Sequence, residues 1–166
     1  SEIVSAAIDF SDISADEVMT ARVDVDAIDI DDSIEDIIAK VIESGHTRMP
    51  VYEDSIDHVI GTIHANHLLK AFARNPKTDI RKLIMPPCYV YRPMKLPTIL
   101  DSMKSARQHL AIVTDEYGGT TGVLSMEDVL EQLVGDIWDE SDEVVPEFVE
   151  LGETLDGRNF VECIDS

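Results

Sequence analysis

Two stretches of the chain carry the same apolar rhythm. Ser33-Ile34-Glu35-Asp36-Ile37-Ile38-Ala39-Lys40-Val41 places apolar residues at 34, 37, 38 and 41. Lys95-Leu96-Pro97-Thr98-Ile99-Leu100-Asp101-Ser102-Met103 places them at 96, 99, 100 and 103. Each set follows the i, i+3, i+4, i+7 spacing of an amphipathic helix. Ser33 with Asp36 offers the first helix a capping box, and Pro97 suits the first turn of the second. After each helix come two short strands, over 49–52 and 59–63 in one stretch and over 111–114 and 121–124 in the other. A polar turn separates each pair, at 53–58 and at 115–119, and the double glycine of the second can take positive φ. A further amphipathic helix closes each unit, on Leu68, Leu69 and Phe72 and on Val129, Leu130 and Leu133.

Similar lead-in segments, Val18-Met19-Thr20 and Ile84-Met85-Pro86, precede the two units. The repeat is therefore a lead-in strand, a helix, two strands and a helix, with a period of about 60 residues. This divides the chain into a lead-in at 1–14 with a short helix over 3–10, a first repeat at 15–74, a linker at 75–80, a second repeat at 81–140 and a tail at 141–166 that leads toward a further domain. Neither repeat has enough apolar faces for a core of its own. The expected class is α+β, a pseudo-twofold pair of small sheets flanked by helices.

Composition narrows the function more than the fold. The 166 residues carry a formal net charge of −21, which argues against nucleic acid and against docking on anionic lipid. No apolar run approaches the ~18 residues that span a bilayer, so direct membrane insertion of this stretch is not expected. Cys88 and Cys163 are far apart and read as free thiols of a reducing compartment. The acidic runs at 24–36 and 136–150 lack the glycine turn and spacing of an EF-hand. A start at Ser1 rather than Met is expected of a piece of a longer protein. No catalytic constellation is visible: there is no P-loop, no Gly-x-Ser-x-Gly and no His-Glu-x-x-His, so an enzyme is not expected.

Several segments then resemble a known family in order and spacing. Val18-Met19-Thr20-Ala21-Arg22, Ser44-Gly45-His46-Thr47-Arg48-Met49-Pro50-Val51-Tyr52 and Ala111-Ile112-Val113-Thr114-Asp115-Glu116-Tyr117-Gly118-Gly119, followed by 122–131 and by Val134-Gly135-Asp136-Ile137, are similar to blocks of the CorC/HlyC hemolysin-like proteins. The similarity covers roughly 14–145. It implies tandem CBS repeats, together a Bateman module, lying in the cytoplasm and attached to a membrane transport domain. Family members are associated with magnesium and cobalt efflux, and the related eukaryotic cyclin-M proteins bind Mg-ATP in their CBS pair. The implied ligand is AMP or ATP, with or without Mg2+, and the implied assembly is a homodimer.

The resemblance also points to Gly122-Val123-Leu124-Ser125-Met126-Glu127-Asp128 as the nucleotide-lining motif, with the carboxylate of Asp128 on the ribose hydroxyls and Ser125 toward phosphate. Ser125 and Asp128 are equally well spaced for a capping box, so capping and binding both stand. Thr47, Arg48 and Pro50 would line the same edge, Arg48 either on phosphate or in a salt bridge. In the second copy Gln108, His109, Leu110 and Ala111 hold the equivalent place, and Tyr89 and Val90 would flank the base. The first copy reads Gly61-Thr62-Ile63-His64-Ala65-Asn66-His67, with His67 where the Asp is expected, so the two sites are expected to be unequal. A neutral imidazole accepts one hydrogen bond and cannot grip a diol as a carboxylate does. His64 and His67 are spaced for a metal pair but have no visible third ligand, and no metal site is expected. A ligand-free dimerisation scaffold and a direct divalent-cation sensor remain as alternatives.

Overall fold

A computed structural model describes residues 9–140. Of these, residues up to Leu130 belong to one compact unit that holds both sheets, and a second unit begins at Glu131. The expected helix over 3–10 lies outside the described residues except at its end, where Asp9 caps a single 3-10 turn, Phe10–Asp12. The tail from 141 also lies outside them.

In chain order the elements are α1 (Ala15–Val18), β1 (Thr20–Ala21), β2 (Ile28–Asp29), α2 (Ile34–Ser44), β3 (Arg48–Glu53), β4 (Ser55–His64), α3 (Ala65–Arg74), β5 (Cys88–Tyr91), α4 (Leu96–Ala106), β6 (Leu110–Thr114), β7 (Thr120–Ser125) and α5 (Met126–Glu140). The class is α+β, two small sheets flanked by helices, as expected. α2 begins where Ser33 Oγ accepts from the Asp36 amide at 3.2 Å and stops at Gly45, whose φ of 70° leaves the helix. Its Ile37 and Val41 are buried. α4 carries Pro97 in its first turn and buries Leu96, Ile99 and Met103.

The first hairpin is tighter than the polar stretch at 53–58 suggests. Glu53 already faces Ser55, which leaves Asp54 alone at the turn with φ 73°. Asp tolerates this left-handed backbone better than most residues. β4 therefore starts within the polar run, because Ser55, Asp57 and His58 can face solvent from a strand. The second turn matches its expected span: the Asp115 carboxylate accepts from the Tyr117 and Gly119 amides, each at 2.9 Å, and Gly118 takes φ 83°.

The sheets are equivalent but exchange their lead-ins. One has the order β2-β3-β4, the other β1-β7-β6-β5. Each has a parallel pair, β2 with β3 and β5 with β6, beside an antiparallel hairpin. β1, from the first repeat, pairs with β7 of the second. Met85, from the second lead-in, bridges Thr62 on β4 of the first, its N–H donating at 2.8 Å and its carbonyl accepting at 3.0 Å. Two glycines make room for this exchange. A Cβ on Gly122 would stand 2.3 Å from the Thr20 carbonyl oxygen, and one on Gly61 would stand 2.2 Å from that of Met85. Thr20 and Met85 are thus the equivalent positions, one residue off the match that the letters Met19 and Met85 suggest.

Each repeat contributes one half of the buried interior. Ile28, Ile37, Val41, Met49, Val51, Ile63 and Leu68 cluster in the first. Leu96, Ile99, Met103, Ile112, Val113, Leu124 and Val129 are buried in the second. Truncating one such Leu to Ala costs about 2–5 kcal/mol.

Candidate functional site

Where the two repeats meet, the strand ends and lead-in segments enclose a cavity of about 400 Å³. The first repeat supplies Thr20, Asp24, Val25 and Asp26 from its lead-in, then His46, Thr47, Arg48 and Pro50 from the α2–β3 junction. The second supplies His109, Leu110, Val123, Ser125, Glu127 and Asp128. The volume falls within the range of ordinary small-molecule sites.

One wall of this cavity is the N-terminus of α5. Ser125 ends β7 and caps the helix, its Oγ accepting from the Asp128 amide at 3.1 Å. Asp128 answers by accepting from the Ser125 amide through Oδ2 at 3.3 Å. The expected capping box is present on a wall of the cavity, so the pair is held rigid at the place where a ligand would meet it. Free amides at a 15-residue helix start favour an anion.

Charge around the cavity is mixed. Arg48, with its side chain 22% exposed, has Glu127 as its carboxylate neighbour, at 3.9 Å. His46 meets Asp26 at 2.9 Å, an exposed pair that joins the lead-in to the α2–β3 loop. Asp24, Asp26, Glu127 and Asp128 outnumber the one arginine. The lead-in is fixed in turn by Arg22. Its guanidinium pairs with Asp57 and donates to the Thr120 carbonyl at 3.0 Å, while Asp57 accepts from the Thr120 amide at 3.0 Å. Hydrogen bonding to Arg22 and to the Thr120 amide holds the Asp57 carboxyl below its ordinary range.

The related position on the other side of the pseudo-twofold is built differently. Strand register matches His46 with Gln108 and Val123 with Thr62. Gln108 is 8% exposed and accepts from Thr62 Oγ1 at 3.5 Å. The residues that correspond to cavity wall are therefore packed against each other. His64 and His67, the counterparts of Ser125 and Asp128, stack at 4.4 Å with 24° between their planes and give α3 no side-chain cap. His64 Nδ1 is buried without a partner. Burial first, then His67, Arg48, Lys70 and His109, hold the His64 imidazole below its usual range.

Of the residues singled out from sequence, Thr47, Arg48, Pro50, His109, Leu110, Ser125, Glu127 and Asp128 come together on the cavity wall. Tyr89, Val90 and Ala111 stand away from it. Val90 and Ala111 face the core, 2% and 0% exposed, while Tyr89 donates its hydroxyl to the Val59 carbonyl. The sequence did not assign Thr20, Asp24, Val25, Asp26 or His46 to the site, and Val123 entered only as part of the Gly122–Asp128 motif. Thr20 and His46 lie in segments legible as motifs, but Asp24, Val25 and Asp26 do not, and the exchange that brings the lead-in to the second repeat leaves no local pattern. Among the described residues, no group of three or more His, Cys, Asp or Glu could hold a metal, and no helix is long and apolar enough to cross a membrane.

Comparison with known proteins bears on this geometry. The family model described as CBS domain matches residues 15–74 and 79–135. Hemolysin C of Brachyspira hyodysenteriae is 36% identical over 162 residues, which cover 98% of this chain and 59% of that protein. The magnesium and cobalt efflux protein CorC of Pasteurella multocida is 33% identical over 143 residues, covering 86% of this chain and 48% of that protein. The chain thus spans about half the length of these curated relatives. A solved CBS domain of a bacterial CNNM/CorC family Mg2+ transporter, in complex with ATP, superposes with a TM-score of 0.70 at 33% identity over 76% of this chain and 91% of that one.

Proposed function

Because the chain belongs to the CBS-domain family, as a pair of repeats like those of the hemolysin C and CorC proteins, we propose that it is a regulatory module that binds an adenine nucleotide in the cavity between its repeats. The observation that carries this reading is the Ser125–Asp128 cap on the wall of a cavity that Arg48 and Thr47 also line. Asp128 spends Oδ2 on the cap, which leaves Oδ1 for ribose hydroxyls. The α5 amides and Arg48 suit a phosphate, while Pro50, Leu110, Val25 and Val123 supply apolar surface for a base. The excess of carboxylates around Arg48 disfavours a bare triphosphate. AMP, or ATP with its charge partly neutralised by Mg2+, fits the electrostatics better.

Binding, not turnover, is the proposed activity. The occupied cavity would draw the repeats together and report to an attached membrane protein for magnesium or cobalt, with this part in the cytoplasm. Self-association belongs to the same reading: α5 exposes Leu130, Val134 and Ile137 along one face. Calorimetry with AMP and with ATP, each with and without Mg2+, tests the proposal. The expected result is saturable binding that Asp128→Ala weakens about tenfold or more, since a hydrogen bond to a charged group contributes roughly 1.5–3 kcal/mol. Absence of binding at millimolar nucleotide would sink it.

A further inference from the structure

The His64–His67 stack stands beside the proposed site and has no part in the reading above. β4 places His64 directly across from Arg48 on β3, and Arg48 lines the cavity. The groups whose charge acts on the His64 ring are His67 and Lys70 from α3, Arg48 from β3, and His109 from the segment before β6, itself a cavity residue. All are cationic or become so on protonation. In a chain with 34 Asp and Glu against 13 Lys and Arg, these groups set the His64 ring apart from the acid-rich cavity lining, where Glu127 lies 3.9 Å from Arg48. The buried Nδ1 has no hydrogen-bond partner, so no carboxylate accepts a proton from that atom.

Resting on the nucleotide reading, we propose that an anionic ligand enters the cavity together with a proton, taken up on His64. Without ligand, each cation around the ring opposes a further charge. A phosphate beside Arg48 and His109 reverses the sign of the local potential and makes the imidazolium favourable. The direction follows from linkage. The liganded state binds more protons than the free state, so affinity rises as pH falls, by at most about tenfold per pH unit for one proton. The free chain behaves oppositely: its His64 resists protonation more than an unfolded chain does, so its stability falls as pH drops through the ordinary imidazole range. Ligand protection against unfolding should therefore be greater on the acid side of neutrality.

The test is calorimetry of AMP and of Mg-ATP binding in buffers of different ionisation enthalpy, on the full chain and on His64→Gln. The expected result is net proton uptake by the native chain that the variant loses, and a steeper rise of affinity toward about pH 6 in the native chain. The ligand's own phosphate titrates near pH 6 in both proteins and cancels in the comparison. NMR of the imidazole nitrogens in the native chain, with and without saturating ligand, gives a readout independent of the variant's folding. Equal uptake in both proteins, or a His64 ring that stays neutral in the complex, overturns the inference while the nucleotide reading stands. Failure of both nucleotides to bind at millimolar concentration overturns the two together.

Discussion

The two repeats have equivalent sheets and diverge where the last strand turns into its helix. In the second, Ser125 and Asp128 satisfy each other and the start of α5, beside an open cavity. In the first, two stacked imidazoles occupy the same positions, and Gln108 packs on Thr62 where the counterparts are cavity wall. The backbone exchange is conserved on both sides because steric fit demands it. The polar chemistry is not, because a fold needs only one way to end each strand. Duplication therefore preserves architecture more strictly than it preserves a site.

The glycine pair offers the harshest test of that equivalence. Gly122→Ala and Gly61→Ala should each destabilise the chain by about 3 kcal/mol, since a methyl group would collide with backbone that has no rotamer to yield. Thermal unfolding measures both losses. Only the Gly122 change should also impair nucleotide binding, because it displaces Thr20 on the cavity wall. Equal effects on binding would erase the distinction between the repeats.

Caps separate the repeats at lower cost. Ser125→Ala should lose about 1 kcal/mol with its helix cap, and His64→Ser should gain up to a similar amount by supplying a cap that α3 lacks. Denaturant unfolding of the two variants checks the opposite signs. The helix ends diverge as well: α2 stops at Gly45, whereas α4 stops at Arg107 in the same left-handed region, φ 56°. Arg107→Gly should stabilise by about 0.5 kcal/mol, and Gly45→Ala should cost about 1 kcal/mol.

The weakest effect concerns the bond between repeats. Asp57 has its pKa depressed by Arg22 and by the Thr120 amide, so its contribution is present above the ordinary carboxylate pKa and is lost as pH falls through the folded value. Asp57→Asn should lower the melting temperature slightly at neutral pH. The difference from the native chain should shrink below about pH 4.

Much of this was legible in the sequence, and the reasons differ by element. α2 and α4 announced themselves because a buried stripe on a helix repeats within one turn, as Ile37 with Val41 and Ile99 with Met103 do. Ser125 and Asp128 were legible because three residues of spacing put both on one helical turn. β2 was not, since it is two residues long and lies inside an acidic run. Tyr89 and Val90 were placed near the base from their neighbourhood alone. Strand alternation instead sends Val90 into the core and leaves Tyr89 outside. Asp24 and Asp26 follow β1, whose pairing with β7 spans about a hundred residues, and His46 is tied to Asp26; such long-range pairing leaves no local pattern.

The exchanged lead-in also has a mechanical side. Ile13 accepts from the Leu96 amide, Ala15 donates to Met94, Asp16 donates to Arg92, and β1 then joins β7. The segment from Ile13 to Ala21 is thus anchored on the second repeat, although it is continuous with the first. A pull delivered at Ile13 would load the far sheet before the near one, passing through Thr20 at the cavity wall. Ligand in that cavity would stiffen the strand along which such a pull travels, so occupancy and tension would meet at Thr20.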